Sequence, residues 1–260
     1  MTDTAAQNVI DCLYPWVEPD VDDASLADHY SAGTAAARHW LRVNFVSSVD
    51  GAVTVDGRSG GLGDDADRRV FDILRWLCDV VLVGAGTVRT EGYGAMVVDD
   101  DAMTARVLAG LKPQPTFAIA SASLDLDPES PIFTKAPVRP IILTVASAPP
   151  ERRERLEHLA DIVVCGEDQV DAAQLVAALV ERGLTRIHCE GGPQLFGTLL
   201  AADAVDELCL TVSPQLVGGG AGRIVSGELP DVRGLTLAGV LRSESTLLLR
   251  YVRATTPSVE

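Results

Sequence analysis

The sequence predicts an α/β fold of three layers, α/β/α, with a mostly parallel central sheet and antiparallel strands at its C-terminal end. Short apolar, β-branched runs alternate with helical runs, which is typical of parallel βαβ units whose strands are buried on both faces. The last strand-like runs follow one another with no helical pattern between them. The 260 residues are 47% hydrophobic and 22% charged, so the chain can bury a large core.

The predicted elements follow this alternation along the chain. The strand-like runs of the parallel part are Leu41–Val46, Val80–Val83, Thr116–Ala120, Pro140–Val145, Ile162–Cys165 and Arg186–Cys189. The helical runs have apolar side chains at a spacing of about 3.6 residues or begin with proline, and they are Asp64–Leu77, Val170–Arg182 and Pro193–Leu200. The C-terminal strands are Glu207–Val217, Leu235–Leu241 and Thr246–Arg253, and the last two are predicted to form a hairpin around Ser243-Glu244.

We expect one domain over residues 39–255, preceded by an acidic, alanine-rich N-terminal extension over residues 1–38. Pro15-Trp16 and His29-Tyr30 are predicted to pack that extension onto the domain. No apolar run reaches the roughly 18 residues of a transmembrane helix, and the N-terminus lacks a basic-then-apolar signal pattern. The sequence therefore predicts a cytoplasmic protein.

Charge and cysteine usage restrict the partners. The formal net charge of −16 argues against binding to nucleic acid or to an anionic membrane, because phosphate contacts need clustered cations. The five cysteines form no C-x-x-C pair and have no histidine at a metal-ligand spacing. We expect buried free thiols in a reducing compartment and no metal site. The acidic run Asp99-Asp100-Asp101 is interpreted as a solvated loop.

Polar residues follow the first strand of the parallel part. Ser47, Ser48, Asp50 and Gly51 come directly after it, so they are expected at the carboxyl edge of the sheet, where open α/β proteins bind ligands. Asp50 is either the acid of a turn or the only charged group at the bottom of a pocket.

Glycines follow two further strands. Gly84 and Gly86 would let a ligand approach the backbone, although Arg89 breaks the G-x-G-x-x-G pattern and a structural turn remains open. Glu190, Gly191, Gly192 and Pro193 end another strand and begin a helix, which favours an anion site at the helix N-terminus and a polar ligand at Glu190. A dinucleotide along this edge would lead to Asp50, which favours the pocket.

Two other features have a simple and a sharper interpretation. The loop Gly218–Gly222 is either a flexible connection or an active-site flap. His188 precedes Glu190 by two residues, so both side chains face the same side of the strand. A histidine there is expected in the core or behind the site rather than in catalysis.

The three motifs, taken in this order, resemble the riboflavin-biosynthesis reductase domain family, whose fold is similar to dihydrofolate reductase. The resemblance runs from about residue 41 to 253. It implies reduction of a ribosylamino-pyrimidine phosphate, such as 5-amino-6-(5-phosphoribosylamino)uracil, to its ribitylamino form with NADPH. It also implies a homodimer, because members of the family are commonly dimers.

The resemblance also implies roles for individual residues. The residues expected to bind the substrate are Asn44, Ser48, Asp50, Ser59, Arg75 and Glu190, with Arg75 on the substrate phosphate. The residues expected to bind the cofactor are Ser47, Gly84, Gly86, Thr87, Glu91, Ser121, Gly191, Gly192, Pro193, Gln194, Leu195 and Thr198. The archaeal members of the family resemble this sequence in having asparagine at the position of Asn44, whereas many bacterial members have lysine there.

This sequence departs from the family pattern after Thr87. The usual Asp-Pro-x-Leu-x-x-Arg is replaced by a run from Glu91 to Val98, so a second phosphate-binding arginine falls on Val98 and is absent. The zinc deaminase motifs that often precede this reductase are also absent from the sequence. This departure leaves dihydrofolate open as an alternative acceptor.

The leading hypothesis is hydride transfer from NADPH to a pyrimidine- or pterin-type acceptor, with Asp50 as the catalytic residue. Asp50 is expected on the pocket floor, where desolvation would raise its pKa. A different class of function is a nucleotide-binding module without catalysis. Two acidic residues, Asp50 and Glu190, argue against that alternative because dinucleotide binding alone needs neither.

Overall fold

A computed structural model describes residues 9–31, 38–229 and 231–254 of the chain. In the described residues the strands are β1 (Asp11–Tyr14), β2 (Trp40–Ser48), β3 (Val80–Gly84), β4 (Thr116–Ala120), β5 (Ile141–Thr144), β6 (Asp161–Val164), β7 (Arg186–Cys189), β8 (Glu207–Ser213), β9 (Leu235–Ser243) and β10 (Thr246–Arg253). The helices are α1 (Asp23–Ser31), α2 (Asp65–Trp76), α3 (Ala85–Glu91), α4 (Asp100–Leu108), α5 (Pro131–Thr134), α6 (Pro150–Leu156), α7 (Ala172–Val180) and α8 (Pro193–Ala201).

The strands form one sheet in the order β1-β9-β10-β8-β2-β7-β3-β4-β5-β6. Neighbours from β8 to β6 run parallel, and the pairs β1–β9, β9–β10 and β10–β8 are antiparallel. Helices α7 and α8 pack on one face, while α1 and α2 pack on the other. The predicted fold class and the hairpin around Ser243-Glu244 are confirmed.

The parallel strands are apolar because both of their faces are covered. On β3, Val80 and Leu82 pack toward α7 and α8, whereas Val81 and Val83 pack into a separate cluster on the opposite face. Each of these four side chains is fully buried. Such strands read as continuous apolar runs rather than alternating ones, which is why sequence patterns found them.

Some predicted boundaries and loops are wrong. Strand β8, which was predicted to reach Val217, ends at Ser213. It pairs in parallel with β2 on one side and antiparallel with β10 on the other. The acidic run at residues 99–101 begins α4 instead of forming a loop, because the Asp99 carboxylate caps the helix by accepting from the N–H of Ala102. A carboxylate at a helix N-terminus is favoured by its free N–H groups and by the helix dipole.

The described part of the predicted N-terminal extension is joined to the domain. Strand β1 pairs with β9 at the edge of the sheet, and Leu26 and Tyr30 of α1 enter the core beside α2. Residues 1–8, 32–37 and 255 lie outside the described residues. The boundary between extension and domain therefore stays a prediction.

Glu207 is a fully buried carboxylate that fastens α1 to the sheet. It accepts hydrogen bonds from the guanidinium groups of Arg42 and Arg250 and from the Trp40 indole at 2.6 Å. Arg42 and Arg250 also donate to the carbonyl oxygens of Tyr30 and His29, at the C-terminal end of α1. The carboxylate and the helix end thus satisfy the same two cations, which a buried charge requires.

As the sequence predicted, the five cysteines are all buried and free. The helices of the described residues include none that is both long and apolar enough to cross a bilayer.

The His29 side chain predicts how stability changes with pH. Burial, followed by the charge of Arg250, lowers its pKa from 6.5 to about 4. The unfolded chain therefore binds a proton near pH 6.5 that the folded chain binds only near pH 4. The free energy of unfolding should fall as the pH drops through this window, by up to about 3 kcal/mol for this group.

Thermal unfolding measured between pH 7 and pH 4 checks this. His29→Leu should flatten the pH dependence, whereas His158→Gln at an exposed position should leave it as in the parent chain. Equal slopes in all three proteins would contradict the role given to His29.

Candidate active site

Three strand ends meet at the carboxyl edge of the sheet. Strand β7 lies between β2 and β3. The polar residues after β2 and the glycine motifs after β3 and β7 are therefore side by side. The N–H of Gly84 donates to the carbonyl of Gly191 at 2.9 Å, which joins two of these motifs directly. Residues more than 100 positions apart in sequence thereby form one edge.

A small cavity, here called the inner cavity, lies between this edge and α2. Its volume is about 190 Å³. The lining residues that the sequence predicted as site residues are Asn44, Ser59, Thr87, Glu91, Glu190, Gly192 and Pro193. The lining residues that the sequence did not indicate include Asp67, Phe71 and Tyr93.

Glu190 forms the wall of the inner cavity and is held by three donor groups. Arg75 of α2 donates to its two oxygens from Nε at 2.6 Å and from Nη2 at 2.8 Å, and the Tyr93 hydroxyl donates at 2.9 Å. The Glu190 side chain has no exposed surface, and the Arg75 side chain is 19% exposed. This bidentate pair fixes the last turn of α2 over the end of β7.

The carboxylate also changes the acidity of its partners. Burial alone would lower the pKa of Arg75, but the adjacent Glu190 raises it above its usual value. Burial, reinforced by Glu190, raises the pKa of Tyr93 far above 10. Tyr93 and Arg75 therefore remain protonated donors over the whole physiological range.

Arg75 and Glu190 were expected to contact the substrate separately, one through its phosphate and the other through its ring. The structure instead places them against each other, with Arg75 also stacked on Phe71 at 4.3 Å from the ring centre. Glu190 still lines the inner cavity, whereas Arg75 lies behind it. Their contacts with a substrate stay predictions.

His188 lies behind Glu190 in the core. It is 1% exposed, and its Nε2 is 3.5 Å from a Glu190 oxygen, too far for a good hydrogen bond. Burial, followed by the charges of Arg42 and Arg75, lowers the pKa of His188 well below 6.5. A histidine in the core, behind the site, is what the sequence predicted at this position.

A second cavity, here called the outer cavity, extends along the ends of β3 and β4 to α8. Its volume is about 750 Å³. Its lining includes nearly all of the residues predicted to bind a cofactor, namely Gly84, Gly86, Thr87, Glu91, Ser121, Gly192, Pro193, Gln194, Leu195 and Thr198. It shares Thr87, Glu91, Gly192 and Pro193 with the inner cavity, so the two adjoin.

Glycine is required where the two cavities meet. Gly191 has a φ of +98°, a conformation that other residues rarely adopt. A Cβ atom at Gly192 would overlap the Thr87 hydroxyl. Gly192 also precedes α8 without a side-chain cap, so free N–H groups of the first turn are left for another acceptor.

The predicted serines take different positions. Ser121 is buried, lines the outer cavity and accepts from the N–H of Leu124 at 3.0 Å. Ser59 donates its backbone N–H to Glu91 at 3.0 Å and thereby closes one side of the inner cavity. Ser47 and Ser48 end β2, and Ser47 lines a third cavity.

That third cavity, the Asp50 cavity, shows that the expected position of Asp50 is wrong. It measures about 570 Å³, shares no lining residue with the other two and is bounded by Gly218 and Gly219. Asp50 is exposed and accepts from Ser48 and from the N–H groups of Val217 and Gly218. The Ser48 hydroxyl, followed by these N–H groups, lowers the pKa of Asp50, whereas desolvation was expected to raise it.

Sequence reasoning missed Tyr93, which completes the Glu190 cluster and stacks on Phe117 at 6.0 Å. The signal was present, because Tyr93 stands at the proline of the usual family pattern. The same departure from the family pattern that removes an arginine at Val98 thus adds a hydroxyl at Tyr93. Among the described residues, no group of His, Cys, Asp and Glu side chains could hold a metal ion.

Comparison with known proteins agrees with this edge geometry. Residues 39–249 match the family of the RibD C-terminal domain. The chain belongs to this family. It is 32% identical over 195 residues to the 2,5-diamino-6-ribosylamino-4(3H)-pyrimidinone 5′-phosphate reductase of Methanothermobacter thermautotrophicus, covering 74% of this chain and 85% of that protein.

The chain is also similar to a longer relative and to a solved structure. The riboflavin biosynthesis protein RibD of Mycobacterium tuberculosis is 28% identical, but the match covers 75% of this chain and only 50% of that protein. The structure of a pyrimidine reductase-like protein from Corynebacterium diphtheriae superposes with a TM-score of 0.78 at 26% identity, covering 88% of this chain and 99% of that one. Neighbours of this kind have a dihydrofolate-reductase-like fold.

From the buried Arg75–Glu190 ion pair we expect the effects of substituting the two residues on the free energy of unfolding to be strongly coupled. Arg75→Met should lower the free energy of unfolding by about 3–5 kcal/mol, because it leaves a buried carboxylate without its cation. Adding Glu190→Gln should restore part of that loss, which urea unfolding of the single and double variants would measure.

The exposed pair between Arg68 and Asp65 on the same helix is the matched control, with side chains 69% and 66% exposed. Arg68→Met should cost less than about 1 kcal/mol. A cost for Arg75→Met no larger than this would contradict the importance of the buried pair.

Proposed function

We propose that this chain reduces a ribosylamino-pyrimidine of the riboflavin pathway by hydride transfer from NADPH. The observation that carries the proposal is the pair of adjoining cavities at the carboxyl edge of the sheet. The outer one has the volume of typical cofactor sites, and the inner one has room for a single heterocycle. Hydride transfer requires that a nicotinamide and its acceptor touch, and the lining residues shared by the two cavities, including Thr87 and Gly192, support such a contact.

The residues of the outer cavity suit a dinucleotide. The free N–H groups at the start of α8 would donate hydrogen bonds to a pyrophosphate, and Gly192 would let it approach the backbone. Arg89 supplies a cation in the lining, which supports NADPH over NADH through its additional phosphate. The bound cofactor supplies the hydride, and the protein supplies orientation and exclusion of water.

The residues of the inner cavity would orient the acceptor. Asn44 offers an amide, Tyr93 a hydroxyl, and Glu91 and Glu190 offer carboxylate oxygens. A ring with amino groups and a carbonyl needs both donors and acceptors of this kind. Arg75 would act indirectly, by holding the Glu190 carboxylate in place through its two hydrogen bonds.

Asp50 retains a proposed role, but as a carboxylate that accepts hydrogen bonds rather than as a proton donor, because folding lowers its pKa. Ala52 lines the Asp50 cavity and the next residue, Val53, lines the inner cavity. On this proposal, the sugar chain of an acceptor in the inner cavity would extend past Ala52 and Val53 toward Asp50.

NADPH oxidation followed at 340 nm tests the function. Purified protein with a ribosylamino-pyrimidine acceptor should consume NADPH in proportion to ribitylamino product formed. Saturable NADPH binding without oxidation with any pyrimidine or pterin acceptor would instead indicate a binding module.

Asp50→Asn should lower kcat about 100-fold or more while leaving the Kd for NADPH within a few fold. Asp56→Asn is the matched control, because Asp56 is exposed, nearby and in a left-handed conformation that asparagine tolerates. Full activity of Asp50→Asn would refute the role of Asp50.

We also propose that the chain is a cytoplasmic homodimer that binds no nucleic acid. Its buried free thiols suit a reducing compartment, and its net charge of −16 disfavours nucleic acid. Leu235 and Leu237 are exposed on β9, which is compatible with a partner chain against this sheet. Sedimentation should give a dimer mass that Leu237→Glu lowers toward a monomer, while Leu108→Glu on exposed α4 leaves it unchanged.

A further inference from the structure

The outer cavity has two ends, and only one of them adjoins the inner cavity. A nicotinamide must touch the acceptor, so it would lie at the end that holds Thr87 and Gly192. The pyrophosphate would follow at the start of α8. The adenosine half of the dinucleotide would therefore reach the other end, whose lining residues follow β4 and β6 and are Ser121, Ala122, Ser123, Asp168, Gln169 and Val170.

The turn that follows β4 is anchored in the core at this end of the cavity. Leu124 is 1% exposed, and its N–H donates to the Ser121 hydroxyl at 3.0 Å. Its φ of +53° is uncommon for a residue other than glycine, and it gives the turn a sharp bend. The turn thereby fixes the position of Asp125, which comes two residues after the lining residue Ser123.

Two guanidinium groups from different helices flank this turn. Arg89 of α3 donates from Nη1 to the carbonyl oxygen of Asp125 at 2.8 Å, and Arg152 of α6 donates from Nη1 to the carbonyl oxygen of Ser123 at 3.1 Å. Both also face the Asp125 carboxylate, at 3.7 Å and 3.8 Å, and these distances are too long for good hydrogen bonds. The turn thus brings two cations together around one loosely held carboxylate.

The two guanidinium groups have donors to spare. Each has five N–H donors, and within the described residues each makes a single hydrogen bond, to a backbone carbonyl. Their two positive charges exceed the one negative charge of Asp125, which favours an added anion. A phosphate monoester carries nearly two negative charges and three acceptor oxygens, and arginine binds such a group in a bidentate manner. Arg89 lines the cavity, and Arg152 lies directly behind the lining residue Ser123.

We infer that Arg89 and Arg152 together bind the 2′-phosphate of the cofactor and set a preference for NADPH over NADH. This inference rests on the proposed function, which supplies the direction of the dinucleotide in the outer cavity. NADH has a hydroxyl group in place of this phosphate and would gain little from the two cations. The competing arrangement places the ribose hydroxyls of NADH against Asp168, because a carboxylate in such a position accepts from them.

Calorimetric titration of NADPH and of NADH into the full chain tests the inference without any acceptor. The Kd of NADPH should be at least about tenfold lower than that of NADH. Arg152→Met should raise the Kd of NADPH about tenfold and leave that of NADH within about twofold. Arg155→Met is the matched control at an exposed position of the same helix, and it should change neither Kd.

Asp125→Asn separates phosphate binding from a purely structural role of the two arginines. It keeps the size of the side chain but removes the negative charge that competes for both guanidinium groups. The Kd of NADPH should therefore fall several fold while that of NADH stays the same. If the charged contacts only held the turn in place, this variant would instead weaken the binding of both cofactors, which would contradict the inference.

The outcomes separate the inference from the function beneath it. Equal affinity for the two cofactors, tighter binding of NADH, or an equal loss of both affinities in Arg152→Met would overturn the inference. None of these results would overturn hydride transfer to a pyrimidine, because oxidation of the cofactor is measured separately. Selective binding of NADPH that depends on Arg152, without oxidation by any acceptor, would support the phosphate site and overturn the reductase function.

Discussion

The ion pair between Glu190 and Arg75 is the interaction on which the geometry of the candidate site depends. A carboxylate with no exposed surface must be paired, so the last turn of α2 has to lie over the end of β7. The same carboxylate draws in the Tyr93 hydroxyl and with it the segment after α3. The inner cavity is the space that these three elements enclose against β2. Its shape is thus set by electrostatics rather than by apolar packing alone.

A second buried ion-pair cluster holds α1 against β2, β8 and β10 of the sheet. Glu207 is fully buried and holds two arginines, which in turn bind the carbonyl oxygens at the end of α1. Each of the two buried glutamates is therefore paired with arginine and fixes one helix. Glu190 fixes α2 and Glu207 fixes α1, and both helices lie on the same face of the sheet. The Glu207 cluster carries one more positive charge than negative, and the neutral His29 beside it keeps that excess from growing. Protonation of His29 in acid would add to this excess, which is why the free energy of unfolding should fall.

The sequence was sufficient for the strands and for the glycine-bearing edge, but not for the contacts between side chains. Strands buried on both faces are apolar throughout, so β3, β4 and β7 were found to within a residue or two. Helices α3 and α4 were missed because a seven-residue helix after a glycine and a helix capped by an acidic run look like loops. Asp50 was placed wrongly because no local pattern predicts that the N–H groups of Val217 and Gly218 would reach it. Likewise, spacing places Arg75 and Glu190 near each other but cannot show that they bind one another.

The carboxyl groups that line the inner cavity also affect the chemistry of a bound acceptor. Carboxylates raise the pKa of an imine nitrogen placed against them, because the protonated form is attracted and the neutral form is not. In a ribosylamino-pyrimidine whose sugar ring has opened, protonation of the imine would make the attached sugar carbon more electron-poor, and hydride addition to that carbon would give the ribitylamino product. Arg75 and Tyr93 cannot supply this proton. Burial and then Glu190 raise the pKa of Tyr93, and Glu190 raises the pKa of Arg75 although burial opposes it. The proton would have to come from solvent or arrive with the acceptor, whereas the carboxylates would stabilise the positive charge until the hydride neutralises it.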